Sequence, residues 1–121
     1  MMKLAGEITV FPVQNDAALW EFLRLPWRLY QGDPYWVPPL LPQQRDFLDP
    51  KRGPFFEIGE ARYFIAYRDS QPVGRLSAHI NRLHDSYHGP ETGFFGFFES
   101  IPDQEVAAAL FEAAGDWLRR R

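Results

Sequence analysis

The chain has 121 residues, enough for one domain around a single core and too few for a second independent one. It is 45% hydrophobic and 17% aromatic, which excludes disorder of the whole chain, while a net charge of -3 supplies no basic field for nucleic acid or anionic lipid. The absence of cysteine excludes disulfides, thiolate zinc sites and a cysteine nucleophile.

Residues 7–13, EITVFPV, read as a first strand, bounded by Gly6 and by Gln14-Asn15-Asp16; Pro12 pushes it toward a sheet edge. Asp16 is the expected N-cap of a helix carrying Leu19, Trp20, Phe22 and Leu23 on one face, and Pro26 is expected to end or kink that helix. From Asp33 to Pro54 six prolines deny long regular structure. The interspersed Tyr35, Trp36, Val37, Leu40 and Leu41 predict an ordered loop packed on the body, with a helical turn or two near residues 40–48.

Residues 61–68, ARYFIAYR, form a strand, and the turn Asp69-Ser70-Gln71-Pro72 returns the chain through VGRLSAHIN as its hairpin partner. Alternation puts Gly74, Leu76, Ala78 and Ile80 on a core face. Arg75, Ser77, His79 and Asn81 fall on the other, read from the residues as a solvated face. LHDSYHGPE reads as a loop.

Residues 93–100, GFFGFFES, follow. As a strand they place Phe94, Gly96 and Phe98 on one face and Gly93, Phe95, Phe97 and Glu99 on the other, so both faces are apolar and a central, doubly covered strand is expected. Glycine inside a strand signals a bulge, a close approach to the main chain, or simple large-small packing. Residues 103–121 then predict the longest helix, with Val106, Leu110, Ala113, Ala114, Trp117 and Leu118 as its apolar stripe, acids first and three arginines last; Asp103 or Ser100 is the N-cap.

That element order accompanies F-x-x-L-P-W-x-L-Y (22–30), D-P-Y-W-V-P-P-L (33–40), P-V-G-R-L-S-A (72–78) and G-F-F-G-F-F-E (93–99). Together they resemble the N-terminal part of GNAT-like acyl-CoA N-acyltransferases, in a poorly characterised bacterial branch, from about residue 7 to the end. The resemblance implies one partial domain over residues 1–121 of α+β class, with a four-stranded antiparallel sheet in the order β-α-α-β-β-β-α. It implies acyl transfer from acetyl-CoA or another acyl-CoA to a small primary amine, with no metal.

In that family the fourth strand is bulged and splays from a fifth, and acyl-CoA lies in the opening. The resemblance therefore assigns acyl-CoA to Phe97 and Phe98, with Gly93 and Gly96 suiting the pantetheine arm, and to Ser100, Gln104, Val106 and Ala107 around the helix N-terminus. Of the family's Q/R-x-x-G-x-G/A pattern, set against residues 102–107, only Ala107 conforms. Pro102 lacks an N–H, and Asp103 and Glu105 put negative charge where a pyrophosphate would sit. The isolated chain is therefore expected to be inactive or nearly so. The family's further strands are absent, which predicts either a missing C-terminal half or a homodimer covering the open sheet edge.

By the same resemblance Glu99 is the catalytic base, the usual tyrosine acid lying beyond residue 121. Tyr35 and Trp36 lie in the loop that borders the acceptor groove in that family, and the alternative to a solvated face for the stripe of Arg75, Ser77, His79 and Asn81 is the lining of an acceptor pocket. Read without the family, Glu99 is a helix-start residue, Tyr35 and Trp36 anchor their loop, and His79, His84 and His88 are ordinary polar residues. The alternative function is a non-enzymatic binding or self-association module. No stretch approaches the roughly 18 apolar residues of a membrane span, and no basic-then-apolar leader opens the chain, so no membrane partner and a cytoplasmic location are expected.

Overall fold

A computed structural model describes residues 7–88 and 92–121. It is an α+β fold in which four antiparallel strands run in the order β1 (Ile8–Pro12), β2 (Gly59–Arg68), β3 (Gln71–Asn81) and β4 (Phe94–Ser100). Helices α1 (Asp16–Leu29), α2 (Leu41–Leu48), α3 (Arg82–His88) and α4 (Gln104–Arg119), with a short 3-10 helix at Pro54–Glu57, complete the described chain. Gly6 and the end of the expected loop, residues 89–91, lie outside the described residues. Among the described residues no helix is long and apolar enough to cross a membrane.

β2 explains why the sheet is covered twice. Its consecutive apolar residues alternate sides, so Phe64 and Ala66 face α4 while Tyr63 and Ile65 face α1 and α2. On the first side Leu76 and Ala78 of β3 meet Val106, Leu110 and Ala114, the stripe expected of the last helix. On the second, Leu19, Phe22 and Leu23 of α1 and Leu48 of α2 close over the sheet. The expected single core is thus two clusters on one sheet. The polar side of β3, expected to be solvated, is instead covered: Arg75 is 5% exposed and Ser77 fully buried.

The helix expected to break at Pro26 runs through it to Leu29. A proline deprives the carbonyl four residues back of its partner, which ordinarily destabilises the helix. Here that carbonyl, on Phe22, accepts instead from Arg75 Nη1 at 2.8 Å. The N-cap is Asn15 rather than Asp16; its side chain accepts from Ala18 N at 2.8 Å and Asp16 occupies the first turn.

β2 and β3 are joined by a two-residue turn with Asp69 and Ser70 at φ +52 and +64, the left-handed pair that suits the twist of a tight hairpin. Arg82–His88, expected as loop, is a two-turn helix started by Asn81, whose side chain accepts from His84 N at 3.0 Å. Asp103, one of the two expected caps, starts α4 by accepting from Glu105 N at 2.9 Å.

The largest correction concerns β4. Among the described residues it pairs with β3 alone and lies at the margin of the sheet, not at its centre, and Phe94, Phe95 and Phe98 are 38%, 48% and 45% exposed. Doubly apolar patterning did not require a central position, because α1 and α4 reach past β3 to touch both sides of its outer neighbour while leaving much of it exposed. Phe97 packs toward Phe22 of α1 at 6.4 Å between ring centroids, and Phe95 and Phe98 pack on Phe111 of α4 at 5.1 and 5.4 Å.

Candidate active site

The β3–β4 register carries the feature that builds the site. Arg75 pairs with Glu99 and Ser77 with Gly96, so one residue of β3 faces two of β4, Phe97 and Phe98. This is a β-bulge, and it inverts the alternation beyond it. Gly96, Phe97 and Glu99 therefore share the α1 side, whereas Phe98 turns to α4; strict alternation had grouped Phe98 with Gly96 and opposed Phe97 to it.

Phe97 adopts φ +53, a left-handed conformation that a bulky residue takes only when its surroundings impose it. Arg75 imposes it. Its Nε donates to the Phe97 carbonyl at 3.0 Å, its Nη1 to the Phe22 carbonyl at 2.8 Å, and its guanidinium lies 4.9 and 5.9 Å from the Phe22 and Phe97 ring centroids. One planar cation thus satisfies two carbonyls stranded by two irregularities, a proline in a helix and a bulge in a strand. Burial pulls its pKa down to about 10, with Glu99 and Tyr30 opposing the shift, so it stays charged at neutral pH.

Arg75→Met is accordingly expected to lower the free energy of unfolding by about 1–3 kcal/mol, the cost of leaving buried carbonyls unpaired, less what burying a cation costs. Urea denaturation measures it. Arg75→Lys is expected to recover only part, since an ammonium lacks the fork that spans both acceptors.

Glu99 sits at the end of β4 beside this arginine. Its carboxylate accepts a hydrogen bond from the Tyr30 hydroxyl at the C-cap of α1, and that bond, more than burial, raises the tyrosine's pKa and keeps it a donor. Trp36 stacks on Tyr30 at 5.7 Å and meets Trp27 edge-on at 5.0 Å, which brings the proline-rich loop to the same place. Tyr35, expected with it, points away and is 90% exposed.

On the other side of Phe97, His79 Nε2 and Ser77 Oγ are 2.6 Å apart, and burial lowers the His79 pKa, favouring the neutral ring. A Cβ on Gly96 would come within 3.1 Å of His79 Nε2 and 3.2 Å of Ser77 Oγ, so what approaches this glycine in the structure is the chain's own β3. Gly93 likewise lies against Leu118.

The site therefore unites Arg75, His79, Phe97, Glu99 and Trp36 of the sequence-derived residues. It adds Tyr30 and the Phe22 carbonyl, which sequence reasoning missed. Tyr30 and Glu99 are 69 residues apart and nothing local links them. For the carbonyl there was a signal: a proline within a helix announces an acceptor in need of a donor.

The remaining cofactor assignments lie elsewhere. Val106 is wholly buried in the α4 core, Ala107 N is bonded to the Asp103 carbonyl at 3.2 Å, Ser100 Oγ donates to the Ile101 carbonyl at 2.8 Å, and Gln104 is exposed on the first turn. The α4 N-terminus does not fit a pyrophosphate. Asp103 already occupies its free N–H groups, and Arg68 pairs with both Asp103 and Glu105, so local cationic charge is engaged.

Arg68 and the Glu105 N–H hold the Asp103 carboxyl below the usual carboxylate range. With a lowered native pKa, this contribution to stability is present above the usual range and lost as pH falls through the lowered value. Asp103→Asn keeps a capping oxygen but loses the charge. It is expected to melt at a lower temperature at neutral pH and to lose less on acidification, a difference that calorimetry across pH records.

His84 and His88 of α3 have ring centroids 4.5 Å apart, but among the described residues no three His, Asp or Glu side chains converge as metal ligands.

No family model matches the chain, and no solved structure matches it. It is 41% identical over 117 residues to a protein named bacterial ceramide synthase from Caulobacter vibrioides (strain NA1000 / CB15N). It is 38% identical over 120 residues to a protein named YghO from Escherichia coli (strain K12). These matches take in 96% and 98% of this chain but 30% of each relative, so the chain spans about three tenths of the length of these curated relatives.

Proposed function

We propose that this chain is part of a GNAT-like N-acyltransferase fold that joins an acyl group to a primary amine. The observation that carries the reading is the Arg75-held bulge at Phe97, which sets Glu99 on the same side as Gly96 and Trp36. The amine nitrogen attacks the carbonyl of an acyl thioester, a C–N bond forms as the C–S bond breaks, and the sulfur leaves as a thiol that carries away the proton the amine has lost. Glu99 takes the proton that the amine must lose, and Tyr30, on which Trp36 stacks, orients its carboxylate. The relative's name supports the class of reaction, since a ceramide is the amide of a fatty acid with a long-chain amino alcohol.

Because the start of α4 is capped by its own carboxylate, acyl-CoA would have to gain its phosphate contacts elsewhere, and the 121-residue chain alone is inactive or nearly so. The test is a chimera in which this chain replaces the matching stretch of the Caulobacter vibrioides protein. Retained amide synthesis supports the reading. A chimera that folds and forms no amide contradicts it, and robust turnover by the 121-residue chain would contradict only the expected inactivity of that chain alone.

The free edge of β4 favours a second reading. Phe95, Phe98 and Phe111 form an exposed cluster beside the outer edge of β4, which has no strand partner among the described residues, a surface suited to self-association. Sedimentation distinguishes a dimer from a monomer.

A further inference from the structure

We propose that the loop leading into α2 is an interfacial contact that enters the surface of a lipid bilayer. Expected to pack on the body, this loop does so through Trp36, which turns inward onto Tyr30 and Trp27. Its neighbours turn outward. Tyr35 is 90%, Val37 83% and Leu40 66% exposed. A single exposed leucine needs no explanation, because much of any protein surface is apolar. Three large apolar side chains within six residues do, and the stretch around them indicates what they meet.

From Pro34 to Gln44 the sequence has no Asp, Glu, Lys, Arg or His, so no charge has to leave water when this stretch enters a less polar medium. The backbone is prepared in the same way. Pro34, Pro38, Pro39 and Pro42 have no N–H, and the N–H groups of Tyr35 and Trp36 donate locally, to Asp33 Oδ1 at 2.8 Å and to the Asp33 carbonyl at 3.4 Å. A protein partner can return hydrogen bonds and countercharges to a loop; the acyl region of a bilayer returns neither, and this loop asks for few. The exposed apolar residues of α3 lack that preparation, since Leu83 and Tyr87 stand among Arg82, His84, Asp85 and His88.

Charge also selects the kind of surface. A loop without cations, on a chain of net charge -3, gains nothing from anionic lipid and suits a zwitterionic one. A tyrosine at headgroup level beside aliphatic side chains is a shallow insertion, which needs no membrane-spanning helix. The contact is joined to the site already described, because Trp36 of the same loop stacks on the tyrosine that bonds Glu99. Its test reads binding and not turnover, so it stands or falls apart from the amide-forming reading.

The experiment adds phosphatidylcholine vesicles with a doxyl spin label on their acyl chains and follows the resonances of the chain. Line broadening is expected at Tyr35, Val37 and Leu40 and not at Leu83, and no more of it when the vesicles also contain phosphatidylglycerol. Val37→Asp/Leu40→Asp is expected to reduce the broadening at Tyr35 about tenfold or more, the factor for keeping at least one aliphatic side chain out of lipid. Both positions are exposed, and a carboxylate at position 40 stands at the N-cap of α2, where it is favoured, so the fold is kept. No broadening at the loop, equal broadening at Leu83, broadening that requires phosphatidylglycerol, or broadening undiminished in the double variant would each overturn the proposal. So would a loop that ignores vesicles but is shielded in the chimera with the Caulobacter vibrioides protein, which would assign it to a protein face instead.

Discussion

Glu99→Gln, placed in the chimera with the Caulobacter vibrioides protein, is expected to lower turnover roughly a hundred- to ten-thousand-fold, the usual contribution of a positioned general base. The amide oxygen still accepts the Tyr30 hydroxyl, so the geometry at the end of α1 survives while the capacity to take a proton does not. The melting temperature and KM should therefore change little. Turnover within a few-fold of the parent chimera would remove Glu99 from the chemistry and leave it as the residue that ties α1 to β4. Tyr30→Phe separates these roles further, since it removes the orienting donor and keeps the base.

Phe22→Ala is expected to cost about 3–5 kcal/mol, the range for deleting a buried aromatic ring and leaving its cavity. The ring is fully buried and stands where three parts of the account meet: 5.2 Å from the Tyr63 centroid, 6.4 Å from that of Phe97, and 4.9 Å beneath the Arg75 guanidinium. Against a total stability of about 5–15 kcal/mol for a small domain, that loss leaves little or no native protein in reserve, so equilibrium unfolding in urea is best followed in the cold. Phe22→Leu keeps most of the buried area but surrenders the face on which the cation rests. It is expected to cost about 1 kcal/mol beyond the change in packing.

Much of the fold was legible because local patterns decided it. The period of α4, the alternation of β3 and the turn at Asp69 and Ser70 each depend on neighbours within a few residues. What failed depended on distant partners. Pro26 reads as a helix breaker until Arg75 of β3 supplies the hydrogen bond that proline withholds. The Arg75, Ser77 and His79 side reads as solvated until α1 closes over it, and the phenylalanines of β4 read as a central strand because nothing in them records which edge stays open.

The site was half legible for the same reason. Glycines at 93 and 96 announced an irregular strand, yet the bulge falls at Phe97, the residue that ordinary conformational preference would protect from a positive φ. Glu99 and Trp36 could be named by resemblance and Arg75 by the alternation of β3, but their meeting through Tyr30 required the third dimension.

The bulge itself is open to a direct measurement: the proton-proton contacts of the Phe97 and Phe98 rings by nuclear Overhauser spectroscopy on the 121-residue chain. Contacts from Phe97 to Phe22 and from Phe98 to Phe111 are predicted. A Phe97 ring in contact with Phe111, and a Phe98 ring with Phe22, would mean an unbulged strand, an Arg75 with nothing to hold there, and a Glu99 facing away from Tyr30.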